Sequence, residues 1–309
     1  MFVVCGESLI DVFADRETPT GMALDARVGG SPFNVAIGLA RLAQPVSFLG
    51  AVSRDFLGDR LMRALREEGV QTASTVRVDA RTTLGLVGTD AQGVPSYSFY
   101  GEHGADRALG SDMISRLPAE TQAIHIGSFA MVVEPIASTL RTLVGHERER
   151  ALISYDPNIR LNVEPDVTRW RATLEWMMPR TDLLKISEED LALLRPGIGR
   201  EAFAADAVAH GVRLVVVTRG SEGAQGWTAT QSAVVPAGAV PVVDTVGAGD
   251  SFQAALLTWL AEQGARSREA LVGLEALRLR AAMEFAVRAA SITCSRRGAD
   301  LPRRAEIGV

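Results

Sequence analysis

Short apolar runs alternate with helix-forming segments along most of the chain, and this alternation restricts the fold more than any other feature. The runs Phe2–Cys5, Val46–Val52, Ala123–Ile126, Ala151–Tyr155, Asp182–Lys185 and Leu214–Thr218 are mostly apolar at successive positions, as strands buried on both faces require. Helical signals fall between them. Ser31-Pro32 reads as an N-cap followed by proline in the first turn, opening a helix to about Leu42. Asp55 opens the next, which ends before Gly69, and Ser187 with Asp190 resembles a capping box. Elements in this order predict a three-layer α/β/α sandwich with a mostly parallel central sheet and right-handed crossovers.

Two stretches break the rhythm. Neither Val12 to Val28 nor Thr83 to Tyr100 carries a helical pattern, and the second reads as a hairpin, TTLGLVGT then YSFY, turning through residues 90–93. A small antiparallel β-flap built from about 12–28 and 83–102 accounts for both, placed to exclude water from a site at the strand ends. With no low-complexity linker and no internal repeat, residues 1–309 read as one domain carrying this lid. The C-terminal third is helical from about Ala248 to Gln263 and again from Ser267 to about Ser291.

Charge narrows the function. With 32 Lys plus Arg against 37 Asp plus Glu, the net charge of −5 gives no basic field for nucleic acid, so any anionic ligand must be held locally. Cys5 and Cys294 make no disulfide framework, and His103, His125, His146 and His210 are scattered, with no zinc-ligand spacing. The N-terminal apolar run has no basic residues before it and reads as a first strand, not a signal peptide. Ala254–Ala261, the most apolar later stretch, is far too short to span a membrane. A cytoplasmic location follows, with neither nucleic acid nor membrane as partner.

The chemistry concentrates in Asp244-Thr-Val-Gly-Ala-Gly-Asp250-Ser-Phe, where an apolar extended run enters a Gly-rich turn and then a helix. Such a turn exposes backbone N–H groups at the positive end of a helix dipole, which makes an anion site. Asp250 stands beside it. That carboxylate can accept the proton of a substrate hydroxyl while the amides of Gly247, Ala248 and Gly249 stabilise charge on a transferred phosphoryl group. The helix terminus is expected to hold Asp250 ionised. A second Gly-rich helix start, Val28-Gly29-Gly30-Ser-Pro-Phe-Asn34, allows close backbone approach to a ligand, with Asn34 in reach of sugar hydroxyls. A loop and a cap would also explain either string taken alone. No P-loop, no dinucleotide fingerprint and no nucleophile elbow is present, and Gly220-x-x-Gly223-x-x-Gly226 reads as a strand-end loop and hairpin.

These strings carry a resemblance. GGSPFNVA near the start and DTVGAGDSF near the end resemble, in order and position, the two signatures of the ribokinase-like (PfkB) carbohydrate kinases, a family that includes ribokinase, fructokinase and 2-keto-3-deoxygluconate kinase. GESLIDVF, SYDPNIR, LKISEEDL and VVTRGSEGA extend the likeness over essentially the whole chain. The resemblance implies ATP and Mg²⁺ as cofactors and a sugar as acceptor. It implies Asp250 as catalytic base, Gly247, Ala248 and Gly249 as anion hole, and Asp11, Gly30, Asn34 and Arg160 as sugar contacts. It also implies Thr218, Gly220 and Gly223 at the nucleotide, and a monovalent-cation (K⁺) site at the carbonyls of Asp244 and Val246 with Gly298. The chain departs from the family at Lys185-Ile-Ser-Glu188, where many members carry Asn-x-x-Glu. Glu188 keeps the role of organising Mg²⁺ through water, and Lys185 brings a cation to the nucleotide side, within reach of ATP phosphate. Family members often pair through the flap, which makes a homodimer the expected assembly.

Fructokinase-like members share the GE-x-L-I-D-V opening, FYGEHGADRAL and SFAMVVEP, so fructose is the expected acceptor. A 2-keto-3-deoxygluconate kinase is the alternative, with ribose and nucleoside kinases behind it. A sugar acid needs a cation for its carboxylate, whereas the flap offers Glu102 and no arginine before Arg107. A non-catalytic sugar-binding protein of the same fold is the distant alternative, and such a protein would be expected to lose the base or the anion-hole glycines.

Overall fold

Strand alternation builds two cores. In β1 (Phe2–Cys5), Phe2 and Val4 enter one apolar cluster while Val3 and Cys5 enter another, all four buried. The computed structural model describes residues 1–89 and 95–308. Its first half supplies β2 (Leu9–Thr18), β3 (Gly21–Gly29), β4 (Val46–Leu49), β5 (Ala51–Ser53), β6 (Val76–Val78), β7 (Leu84–Thr89), β8 (Pro95–Tyr100) and β9 (Ala123–Gly127). The second half adds β10 (Leu152–Asp156), β11 (Leu183–Ser187), β12 (Leu214–Thr218), β13 (Ala224–Trp227) and β14 (Ser232–Val235).

The described residues place eight of these strands in one sheet, ordered β14-β13-β12-β11-β10-β9-β1-β4. Every pair from β12 to β4 is parallel, and β13 and β14 close one edge as an antiparallel hairpin. Helices α1 (Ser31–Arg41) and α2 (Phe56–Glu67) pack into one core, and α3 (Ile136–Glu147), α4 (Val167–Met177), α5 (Glu188–Leu194) and α6 (Arg200–Ala209) into the other. Helices α7 (Ala248–Glu262), α8 (Arg268–Val272) and α9 (Ala276–Cys294) join α1 on the first side. This is the three-layer sandwich expected from the alternation. A second sheet, β3-β2-β7-β8, forms the flap, antiparallel in its two outer pairs as expected and parallel between β2 and β7 at its centre. The turn placed at residues 90–93 lies outside the described residues.

Four local expectations change. Val46–Val52 divides at Gly50, and only its first half joins the main sheet, because β5 pairs with β6 instead. A Cβ at Gly50 would stand 2.6 Å from the Phe48 ring and 2.7 Å from the Gly6 carbonyl, so the chain passes there only as glycine. The segment from Ser267 to Ser291 divides into α8 and α9 at Gly273, the C-cap of α8. Ser31 is not an N-cap: Gly30, at φ 104°, takes that position. Ser187 does cap α5, accepting from the Asp190 N–H at 3.0 Å, but the Asp190 carboxylate accepts from the Ile159 N–H, so the capping box is half made.

Candidate active site

The parallel strands end around a cavity of about 460 Å³, walled by Glu7 and Asp11, by the starts of α1 and α7, by Arg160, and by Phe99 from the flap. Its position follows from topology, since loops at the C-terminal edge of a parallel sheet converge there. Phe99 and Phe129 meet edge to face with ring centroids 6.4 Å apart.

Two helix starts meet at one carboxylate. At Gly30 a Cβ would lie 2.9 Å from the Glu7 carbonyl, so a glycine in positive φ turns the chain into α1 and leaves the Ser31 hydroxyl unused as a cap. Ser31 Oγ donates to Asp250 Oδ1 at 2.7 Å, and Asn34 Nδ2 donates to Asp250 Oδ2 at 2.8 Å. Asp250, in the first turn of α7, is buried. Burial raises its pKa above the ordinary carboxylate value, opposed by Ser31, Asn34 and the charges of Lys185 and Arg160. Burial is thus the largest influence on this carboxyl, a cost to its charged form that its place at a helix start does not reveal in the sequence.

Of the three turn residues that the sequence suggests for an anion site, two line the cavity. Gly247 caps α7 at φ 78°, where a Cβ would meet Ala299 Cβ at 2.6 Å. The Ala248 N–H is directed to the Thr245 carbonyl at 3.2 Å, and Ala248 is absent from the cavity wall. Gly247 and Gly249 are the residues of this turn that line the cavity.

Asp11, on β2, faces the same cavity. Burial pushes its carboxyl up to about 6 against the pull of Arg160, with Asp250 adding to the rise. Gly29 and Gly85 make room for it, since a Cβ at either would stand 2.2 Å or 2.9 Å from its carboxylate oxygens. Glu7 was not singled out from the sequence. It is buried, and desolvation pushes it up to about 8 despite a hydrogen bond with the Ser128 side chain. The available signal was its place directly after the glycine that follows β1. Glu102, by contrast, is exposed and outside the cavity wall, so the acids the cavity presents are Glu7, Asp11 and Asp250.

The model of the pfkB family carbohydrate kinases matches residues 1–306. The chain belongs to the pfkB family. A fructokinase from Rhizobium leguminosarum bv. trifolii is 32% identical to this pfkB-family chain over 280 residues, covering 91% of it and 86% of the relative. The crystal structure of a Xylella fastidiosa fructokinase with bound ATP is 27% identical with a TM-score of 0.88, covering 99% of this chain and 96% of that one. That of a Vibrio cholerae O395 fructokinase with fructose, ADP and calcium bound is 26% identical with a TM-score of 0.82, covering 99% and 97%.

The pfkB-family chain carries its other predicted residues elsewhere on the sheet edge. Lys185 lies beneath the Gly-rich turn before α7 instead of on the cavity wall: its ammonium stands 3.1 Å from where a Gly249 Cβ would be. Ser154, Asp156 and Lys185 share strand parity with Leu152 and Leu183, which puts them on the side of the sheet covered by α7. Glu188 opens α5 and is paired with Arg200. Thr218 ends β12, and Gly220 and Gly223, both at positive φ, bracket the short turn that follows. The Asp244 carboxylate accepts the Val246 N–H at 3.0 Å and the Gly298 N–H at 2.8 Å, which draws those three residues together. Among the described residues no cluster of three or more His, Cys, Asp or Glu is arranged to hold a metal ion, and no helix is long and apolar enough to cross a membrane.

Proposed function

We propose that this chain is an ATP-dependent sugar kinase that phosphorylates a primary hydroxyl of a small neutral sugar, with fructose as its acceptor. The observation that carries this reading is Asp250: a buried carboxylate held by two donors from one Gly-rich helix start and flanked on the cavity wall by the glycines of another. The relatives named fructokinase support the acceptor.

The acceptor hydroxyl gives its proton to Asp250 as its oxygen bonds to the γ-phosphorus. The bond from that phosphorus to the bridging oxygen breaks, and ADP leaves. Gly247 and Gly249 receive the charge that develops on the transferred group. Asp11, Gly30, Asn34 and Arg160 contact the sugar, and Thr218, Gly220 and Gly223 hold the nucleotide. Magnesium arrives with ATP as part of the substrate, and Glu188, still partly exposed beside Arg200, orders its waters. The loop closed by Asp244, Val246 and Gly298 is the place for a monovalent cation.

A neutral sugar fits the cavity better than a sugar acid. Three carboxyl groups and one cation, Arg160, line it among the described residues, so an added substrate carboxylate would be buried against acids. The flap presents exposed Met22, Leu24 and Tyr100, an apolar surface suited to pairing two copies, and the kinase reading carries a cytoplasmic location with it. An ADP-release assay comparing kcat/KM for fructose, 2-keto-3-deoxygluconate, ribose and adenosine tests the acceptor. Fructose is expected to lead, and a sugar acid leading by tenfold would overturn the choice.

A further inference from the structure

We infer that Ser31 is the positioning residue of the phosphoryl-transfer base: its hydroxyl fixes the Asp250 carboxylate and sustains its charged form. This rests on the reading of Asp250 as the base. Local rules destine Ser31 for a different task, since serine before proline at a helix start ordinarily caps the helix. Gly30 takes the cap, and Ser31 moves into the first turn of α1 with its side chain on the cavity wall. From there Oγ reaches Asp250 Oδ1 across 219 positions of sequence, at 2.7 Å.

The need for such a donor is physical. A buried carboxylate tends to take up a proton and so to lose its capacity as a base, and hydrogen bonds to the charged form oppose that. Four groups face Asp250 with that effect: Ser31 and Asn34 by hydrogen bond, Lys185 from β11 and Arg160 from the loop after β10 by charge, while Asp11 on β2 is the acid that opposes them. Asn34 already has the acceptor sugar to serve. Ser31 has no second assignment, and its bond to Oδ1 sets the carboxylate plane together with Asn34 at Oδ2. A hydroxyl can donate to Asp250 and still accept from a sugar hydroxyl, so the base stays oriented when substrate arrives.

The test uses the full-length enzyme and three variants, Ser31→Ala, Ser31→Thr and Asp250→Asn, with steady-state kinetics across pH. Ser31→Ala is expected to lower kcat about tenfold with little change in KM for sugar or ATP, and to move the acidic limb of the kcat/KM profile to higher pH. Ser31→Thr keeps the hydroxyl and should restore most of both. In an Asp250→Asn background, Ser31→Ala should remove nothing further. If Ser31→Ala leaves kcat and the acidic limb unmoved while Asp250→Asn is nearly inactive, the role of Ser31 is wrong and that of Asp250 stands. If Asp250→Asn turns over normally, the reading of the base itself fails. A melting temperature matched to wild type is expected for Ser31→Ala, and a kinetic loss accompanied by unfolding and not rescued by Ser31→Thr would assign Ser31 to structure alone.

Discussion

Lys185 Nζ lies 2.6 Å from Asp156 Oδ2, and both side chains are almost fully buried beneath the first turn of α7. Neighbouring strands β10 and β11 carry the pair on the same face of the sheet, under Gly249. Removing one member of such a pair leaves an uncompensated buried charge and costs about 3–5 kcal/mol. Lys185→Met is therefore expected to lower the melting temperature clearly, and Lys185→Met with Asp156→Leu to recover part of it. In the kinetics of the folded single variant, kcat should fall more than KM for ATP rises if the buried ammonium acts on the proposed phosphoryl site through the turn above it. A rise in KM alone would instead put Lys185 in direct contact with the nucleotide.

Gly247 is irreplaceable for two independent reasons. Its left-handed φ of 78° disfavours any side chain, by about 1–2 kcal/mol. A Cβ there would also stand 2.8 Å from Ala299 Cα, part of the backbone. Gly247→Ala should lose stability in thermal melts and at least a hundredfold in kcat, because the turn that presents the Gly247 and Gly249 amides must shift. Near-normal kcat would remove this turn from the reaction.

Asp11 titrates within a range open to assay. With its carboxyl pushed up to about 6 by burial, it is mostly ionised at pH 7.5, the form that the proposed sugar contact requires, and mostly protonated at pH 5. Binding of fructose to Asp250→Asn, measured by calorimetry so that turnover plays no part, should weaken as pH falls, with a transition somewhat below 6 because the Asp250 charge no longer adds to the rise. Asp11→Asn added to that protein should bind weakly at both values and flatten the dependence.

Glu7 shapes stability in the opposite direction to a salt-bridged acid. Its folded value, about 8, lies above the ordinary 4.5, so the native state holds the proton more tightly than the unfolded chain does. Stability contributed by the protonated form is full below about 4.5 and is lost as pH rises through 8. Glu7→Gln should match wild type in denaturant melts at pH 5 and exceed it at pH 8.5. Equal stability at both values would mean that Glu7 is not held protonated by the fold.

Much of this was written locally. Apolar runs of strand length separated by capped helices are enough to specify an α/β chain with helices covering a parallel sheet, because strands apolar on both faces must be buried on both. The flap was legible for the converse reason: Val12 to Val28 and Thr83 to Tyr100 lack helical periodicity and alternate as strands do. Both Gly-rich helix starts were visible because glycine beside a cap signals a turn wherever it occurs. Ala248 was not separable from its glycine neighbours, since only the turn geometry directs its N–H to Thr245.

What the sequence determined by itself, then, was the order of elements, the two helix starts and their residue types, all consequences of periodicity and turn chemistry over a few positions. The tertiary structure alone decided which groups meet. Ser31 and Asp250 stand 219 positions apart, and Lys185 and Asp156 29 apart. Their bonds exist because the sheet brings separate strand ends to one edge. Burial, which raises Glu7 and Asp11 and sends Lys185 under the turn, is a property of the packed molecule and of no shorter segment.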